Sequence, residues 1–200
     1  MTQVEGCGVA LICVAGGDGR ARLYDASSAV DGTRTREVCQ LAGHSDALNW
    51  SSFSTACDLI ATASDDCSIR VWRPPHYDCI NRVLEGAAVC LHVLRGSTTS
   101  GESRNGHGAA VTAVEFSPDG RCLVSASTDR TLRTWDPRRG LVLRVLAGHC
   151  AGVTCVFCSP GAAVAVSGCE DGGIRIWDIG VEPEKMERVE GARGNLLTEV

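Results

Sequence analysis

The chain has 200 residues, 44% of them hydrophobic, with 12 cysteines and a formal net charge of −5. That is enough apolar material for one sizeable core, while the acidic balance argues against a dedicated nucleic-acid binder. No apolar run nears the roughly 18 residues that a membrane-spanning helix needs, and the cysteine content is below that of a disulfide scaffold.

In chain order, the first apolar run, Val9 to Ala15, follows Glu5 with no preceding Lys or Arg. It is a poor secretory signal, so the expected compartment is the reducing cytoplasm or nucleus. Next comes Asp18-Gly-Arg-Ala-Arg-Leu-Tyr24-Asp25, the first and least regular of four similar units. The following units begin at Gly43-His44, Gly106-His107 and Gly148-His149. Each runs from its His to a Trp 28 residues on: Trp72, Trp135 and Trp177. Six residues before each Trp stands Asp66, Asp129 or Asp171, and four before that acid stands Thr62, Ser125 or Ser167. In the first unit Tyr24 takes the Trp position, and Glu5 falls where the third unit has Phe116. The first strand of that unit is therefore expected to be largely absent.

Within a unit the pattern is β. Val111 to Phe116 precedes Ser117-Pro-Asp-Gly120, a turn in which Pro fixes φ and Gly accepts a positive one. Cys122 to Ala126, Thr131 to Trp135 and Leu141 to Leu146 then supply three more short strands. Units are expected near 8–42, 43–86, 106–147 and 148–180. Two candidates for the second unit's fourth strand stand in tandem, Cys79–Leu84 and Val89–Leu94, followed by the Gly/Ser/Thr-rich Gly96 to Gly106, and the interval 87–105 is an irregular insertion. It is read as a surface loop in preference to the scar of a lost unit. Residues 181–200 are expected to form a loose polar tail, with Glu182–Glu190 a poor fourth strand.

Gly-His, Phe-Ser-Pro-Asp-Gly, the loop Asp and the closing Trp135-Asp136 and Trp177-Asp178 resemble the WD-repeat (WD40) β-propeller proteins. The resemblance covers residues 8 to 178 apart from the insertion; the second unit closes with Trp72-Arg73 instead. It implies an all-β fold of about 3.5–4 four-stranded antiparallel blades. Since propellers close with 4–8 blades, an incomplete or open ring is expected. The chain is read as a fragment or short form of a larger propeller, with self-association to complete the ring as the second choice.

A buried indole N–H needs an acceptor, which a hydroxyl can be while donating to an imidazole that an Asp orients. The resemblance assigns that role to His44/Thr62/Asp66/Trp72, His107/Ser125/Asp129/Trp135 and His149/Ser167/Asp171/Trp177. A Ser/His/Asp set also invites a catalytic reading. Its recurrence once per unit, with no Gly-x-Ser-x-Gly elbow, argues for a structural one. No enzyme activity, cofactor or metal site is expected.

The resemblance further implies a platform for protein partners, with candidate contacts at Asn49, Asp65, Thr112, Thr128, Thr154 and Glu170. Trp135-Asp136-Pro137-Arg138 matches the W-D-x-R ending of substrate receptors of cullin-type ubiquitin ligases, so Arg138 is a candidate contact to a ligase adaptor. Five Arg between Arg130 and Arg144 give a weaker RNA or phosphate alternative. One of them, Arg133, belongs to a series standing two residues before each aromatic, Arg22, Arg70, Arg133 and Arg175, expected to lie with stem on the sheet and head near solvent. Cys155 and Cys158, a C-x-x-C, align with Ala113 and Phe116, and three residues apart on a strand they face opposite ways. They read as strand residues, not paired metal ligands.

Overall fold

The computed structural model describes residues 11–26, 36–78, 83–96, 106–161, 163–180 and 196–199. Among these residues there is no helix. The first sheet is three-stranded, β1 (Leu11–Ala15), β2 (Arg20–Asp25) and β3 (Arg36–Ala42), in that spatial order. Next come β4 (Leu48–Phe53), β5 (Ile60–Ser64) and β6 (Ile69–Arg73), a hairpin of β7 (His76–Asp78) and β8 (Val83–Glu85), and β9 (Val89–Leu94). The second sheet has the order β4-β5-β6-β9. The third is β10 (Val111–Phe116), β11 (Leu123–Ser127), β12 (Thr131–Asp136) and β13 (Leu141–Ala147). The fourth is β14 (Val153–Cys158), β15 (Val164–Cys169), β16 (Ile174–Asp178) and β17 (Leu196–Glu199). All the pairings are antiparallel.

Three elements fall elsewhere than the sequence reading set them. The outer strand of the second sheet is Val89–Leu94, inside the interval 87–105 treated as an insertion, and Val83–Glu85 joins the hairpin instead. The choice between the tandem segments is decided by Leu94, which pairs with Ile69 and is buried at 4%, in the manner of Leu146 in the third sheet. At the other end Leu196–Glu199 is no loose tail but pairs with β16, bringing Thr198 opposite Ile176. The missing first strand of the first unit and the segment 182–190 lie outside the described residues.

The sheets stack face to face, and three apolar clusters join the four of them into an open array. Leu11, Ala21, Leu23 and Leu41 of the first sheet meet Leu48, Ile60 and Trp72 of the second. Ala61, Ala63, Ile69 and Val71 of the second meet Val111, Val114, Phe116, Leu123 and Trp135 of the third. Val124, Ala126, Leu132 and Leu146 of the third meet Val153, Val156, Ala165 and Trp177 of the fourth. Each junction thus sets an indole on one leading face against aliphatics on the trailing face before it. Strands β5 and β11, covered on both sides, are buried at every position, which is why they read Ile-Ala-Thr-Ala-Ser and Leu-Val-Ser-Ala-Ser. Small residues let sheets approach to the ~10 Å of face packing. A register shift precedes the aromatic in every sheet, at Leu23/Tyr24, Val71/Trp72, Thr134/Trp135 and Ile176/Trp177. Such a bulge adds local twist and re-aims the large ring.

Three tight turns carry a side chain on a left-handed backbone, at Cys57, Cys67 and Arg130 (φ 69°). Cys57 (φ 53°) stands where the third sheet has Gly120 (φ 67°), and Cys67 (φ 63°) where the fourth has Gly172 (φ 84°). A left-handed conformation costs a side chain roughly 1–2 kcal/mol, part of which a glycine returns as unfolded-state entropy. Cys57→Gly and Cys67→Gly are each expected to raise stability by about 0.5–1 kcal/mol. A lower denaturation midpoint in both variants would refute the argument.

Candidate functional site

The repeated offsets converge in space in the second and third sheets, and for His149, Ser167 and Trp177 in the fourth. In the third, Trp135 Nε1–H donates to Ser125 Oγ (2.9 Å), and Ser125 Oγ lies 2.7 Å from His107 Nε2. His107 Nδ1 is 2.9 Å from Asp129 Oδ2. Only one proton arrangement runs through all three links: indole to hydroxyl, hydroxyl to Nε2, and Nδ1–H to carboxylate. The second sheet repeats it, with Trp72 to Thr62 at 2.9 Å, Thr62 to His44 at 2.9 Å and His44 to Asp66 at 2.9 Å. In the fourth, Trp177 donates to Ser167 (2.8 Å) and Ser167 meets His149 Nε2 (2.7 Å), while Asp171 accepts from Cys169 Sγ and from Gly173 N. The first unit has no His, and Asp18 is paired with Arg22.

The sequence reading missed part of this arrangement. Asp129 also accepts from Gly108 N (3.0 Å), Thr131 N (3.0 Å) and Thr131 Oγ1 (2.6 Å). Asp66 takes the same bonds from Ser45 N, Ser68 N and Ser68 Oγ. A hydroxyl two residues after the acid, at 68 and 131, was the available signal. Burial works against ionisation of both carboxyls. It is outweighed by Ser68, His44 and Ser45 at Asp66, held down at about 2, and by His107, Thr131 and Gly108 at Asp129, held well below the carboxylate range. Burial pushes His44 and His107 down as well, only partly offset by their Asp partners. These two sets are neutral imidazoles on ionised carboxylates, held inside the sheets.

Two members of the arginine series are more deeply held than expected, while Arg22 and Arg70 are half-buried. Arg133 and Arg175 are 6% and 8% exposed, heads included. Arg70 bonds Gly43 O (2.6 Å) and lies over the Trp72 ring. A Cβ at Gly43 or Gly148 would run into the guanidinium of Arg70 or Arg175, which explains the glycine before each of those histidines. Nor do the five Arg of 130–144 form one patch. Arg133 is buried, Arg144 bonds Gly180 O (2.7 Å), Arg139 sits by Asp136, and Arg138 reaches Asp58 of the second sheet (2.7 Å). The ligase reading of Arg138 gains no support from a guanidinium already engaged across two sheets.

The candidate contacts divide. Asn49 donates to Asp65 (2.6 Å) and across to Val111 O (3.0 Å), and Thr112 donates to Val153 O (2.7 Å) in the next sheet. These two tie neighbouring sheets together. Asp65, Thr128, Thr154 and Glu170 are exposed at or beside the loops joining second and third strands. Of the C-x-x-C pair, Cys155 is exposed and Cys158 buried, its thiol pushed up to about 12 by burial.

Comparison with known proteins gives these repeats their family. The family model "WD domain, G-beta repeat" matches residues 35–73, 89–136 and 140–178. The chain belongs to the WD-repeat family. Each matched WD repeat carries the outer strand of one sheet and the first three strands of the next, so that 35–73 holds β3 with β4, β5 and β6. The chain is 33% identical over 141 residues to nuclear distribution protein PAC1 of Arthroderma benhamiae, covering 54% of this chain and 30% of that protein. It is 29% identical over 132 residues to nuclear distribution protein nudF 1 of Talaromyces marneffei, covering 54% and 29%. Over 128 residues it is 30% identical to Polycomb protein EED of Chaetomium thermophilum, covering 62% and 19%. The WD-repeat chain therefore spans less than a third of the length of these curated relatives.

Proposed function

We propose that the chain is a non-enzymatic platform for protein–protein assembly, working in the cytoplasm or nucleus. The observation that carries this reading is the fate of its reactive-looking groups. Every His–Ser/Thr–Trp set is bonded inside a sheet, which leaves recognition to exposed loops on a stiff stack. The membership of relatives named as nuclear distribution and Polycomb proteins supports it.

The rim formed by the loops between second and third strands is the proposed contact surface, with Thr128 and Glu170 its exposed members in the third and fourth sheets. Thr128→Lys combined with Glu170→Lys is expected to lower capture of specific partner proteins by at least tenfold at unchanged melting temperature, by about 1.4 kcal/mol or more. Arg121→Glu, exposed on the opposite rim, is the control and is expected to leave capture intact. If quantitative mass spectrometry finds the same captured proteins with both variants, that rim is not the contact surface.

A further inference from the structure

Among the described residues, the first and last sheets each expose apolar side chains on one face, and equivalent positions show the two to be complementary halves of one kind of junction. On the trailing side, Ile69 and Leu132 are fully buried (0% exposed) beneath the next sheet, whereas Ile174 is 46% exposed. Strand β15 alternates buried and half-buried residues where β5 and β11 are buried throughout, with Val166 half-buried against Val124 at 0%. Phe157, in the position of half-buried Glu115, is 57% exposed. Asn49 and Thr112 each donate to a carbonyl of the following sheet, but the hydroxyl of Thr154, third in that series, bonds Gly168 O within its own.

The leading side is equally recognisable. Trp72, Trp135 and Trp177 stand opposite Ile60, Leu123 and Ala165 and seat against the sheet before them. In the first sheet Tyr24 stands opposite Ile12 after the same register shift. Tyr24 and Ile12 are half-buried, and Val14, on the same face, is 47% exposed. Arg22 beside this face is neutralised by Asp18.

We propose that the trailing face of the fourth sheet receives the leading face of the first sheet of a second copy, so that two copies close head to tail. The occupant follows from continuity with three junctions already present, in each of which an aromatic on a leading face meets branched aliphatics on a trailing one. Tyr24, Ile12 and Val14 supply the first half; Ile174, Val166 and Phe157 supply the second. A heterologous contact makes a ring when its rotation closes. The four stacked sheets among the described residues of each copy give eight in the pair, within the range at which propellers close. The inference rests on the stacking of the sheets and is independent of the platform reading, whose test uses the loop rim.

The 200-residue chain is expected to run at the mass of two copies in size-exclusion chromatography with light scattering. Phe157→Lys with Ile174→Lys blocks the trailing face, and Val14→Lys with Tyr24→Lys blocks the leading face. Each double variant is expected to be a single chain with unchanged circular dichroism. Mixing the two is expected to restore a two-chain species, because one intact face of each kind remains. A single-chain mass for the parent overturns the proposal whether or not the variants fold. So do blocked variants that stay dimeric, or folded variants whose mixture stays monomeric.

Discussion

Trp135→Ala is expected to destabilise the protein by about 4 kcal/mol, and Trp135→Phe by roughly half as much. The indole is 1% exposed and belongs to two structures at once. It wedges between the second and third sheets among Ala61, Ile69, Val71 and Leu123, and its N–H anchors Ser125. Ala removes both and leaves a cavity whose rigid sheet walls collapse poorly. Phe keeps most of the wedge and removes only the donor, while Ser125 retains His107. Chemical denaturation ranks the two variants; equal losses would mean that the hydrogen bond, not the volume, governs this junction.

Asp129→Ala is expected to cost about 3 kcal/mol, because the carboxylate accepts from four donors, and losing it strands His107 Nδ1–H and the Thr131 hydroxyl. The same group sets a pH dependence. His44 and His107 have native pKa values below the unfolded value of about 6.5, so the unfolded chain binds the proton first. Stability is full above about pH 6.5 and falls as pH drops through the native values. Asp66 and Asp129 are depressed too, so a second loss begins near the unfolded carboxylate value of about 4 and runs to about 2 at Asp66 and lower at Asp129. Both limbs have the same sign, and acid destabilises throughout. Thermal melts between pH 8 and 3 test this, with Asp129→Ala flattening the lower limb. A variant that tracks the parent across the whole range would show that Asp129 is not a native-state acceptor.

The repeats were legible because each tetrad fixes four residue types at fixed distances in sequence, and chance does not reproduce three offsets in three places. The site chemistry at its first level was legible for the same reason. What was not legible depends on pairing between segments. Cys79–Leu84 and Val89–Leu94 have equal claims by β-propensity; only the seat that Leu94 fills opposite Ile69 separates them. Asn49 and Thr112 read as unengaged strand-end residues until the next sheet's carbonyls appear beside them. Arg133 is only 6% exposed, which composition does not reveal. Cys57 and Cys67 were within reach, since aligning the units sets them on Gly120 and Gly172.

The split of each WD repeat across two sheets has a consequence for how such a chain can change length. A repeat hands its first strand back to its predecessor as an edge and opens a sheet that its successor must finish. Excising 89–136 would therefore not leave a gap in the second sheet, since β13 would arrive to take the seat of β9. Insertion of a whole repeat is absorbed in the same way. The interior of the array is indifferent to the number of units, and every deficit is pushed outward to its borders. There the first sheet has three strands among the described residues, and the fourth is finished by Leu196–Glu199, which lies beyond the last matched repeat.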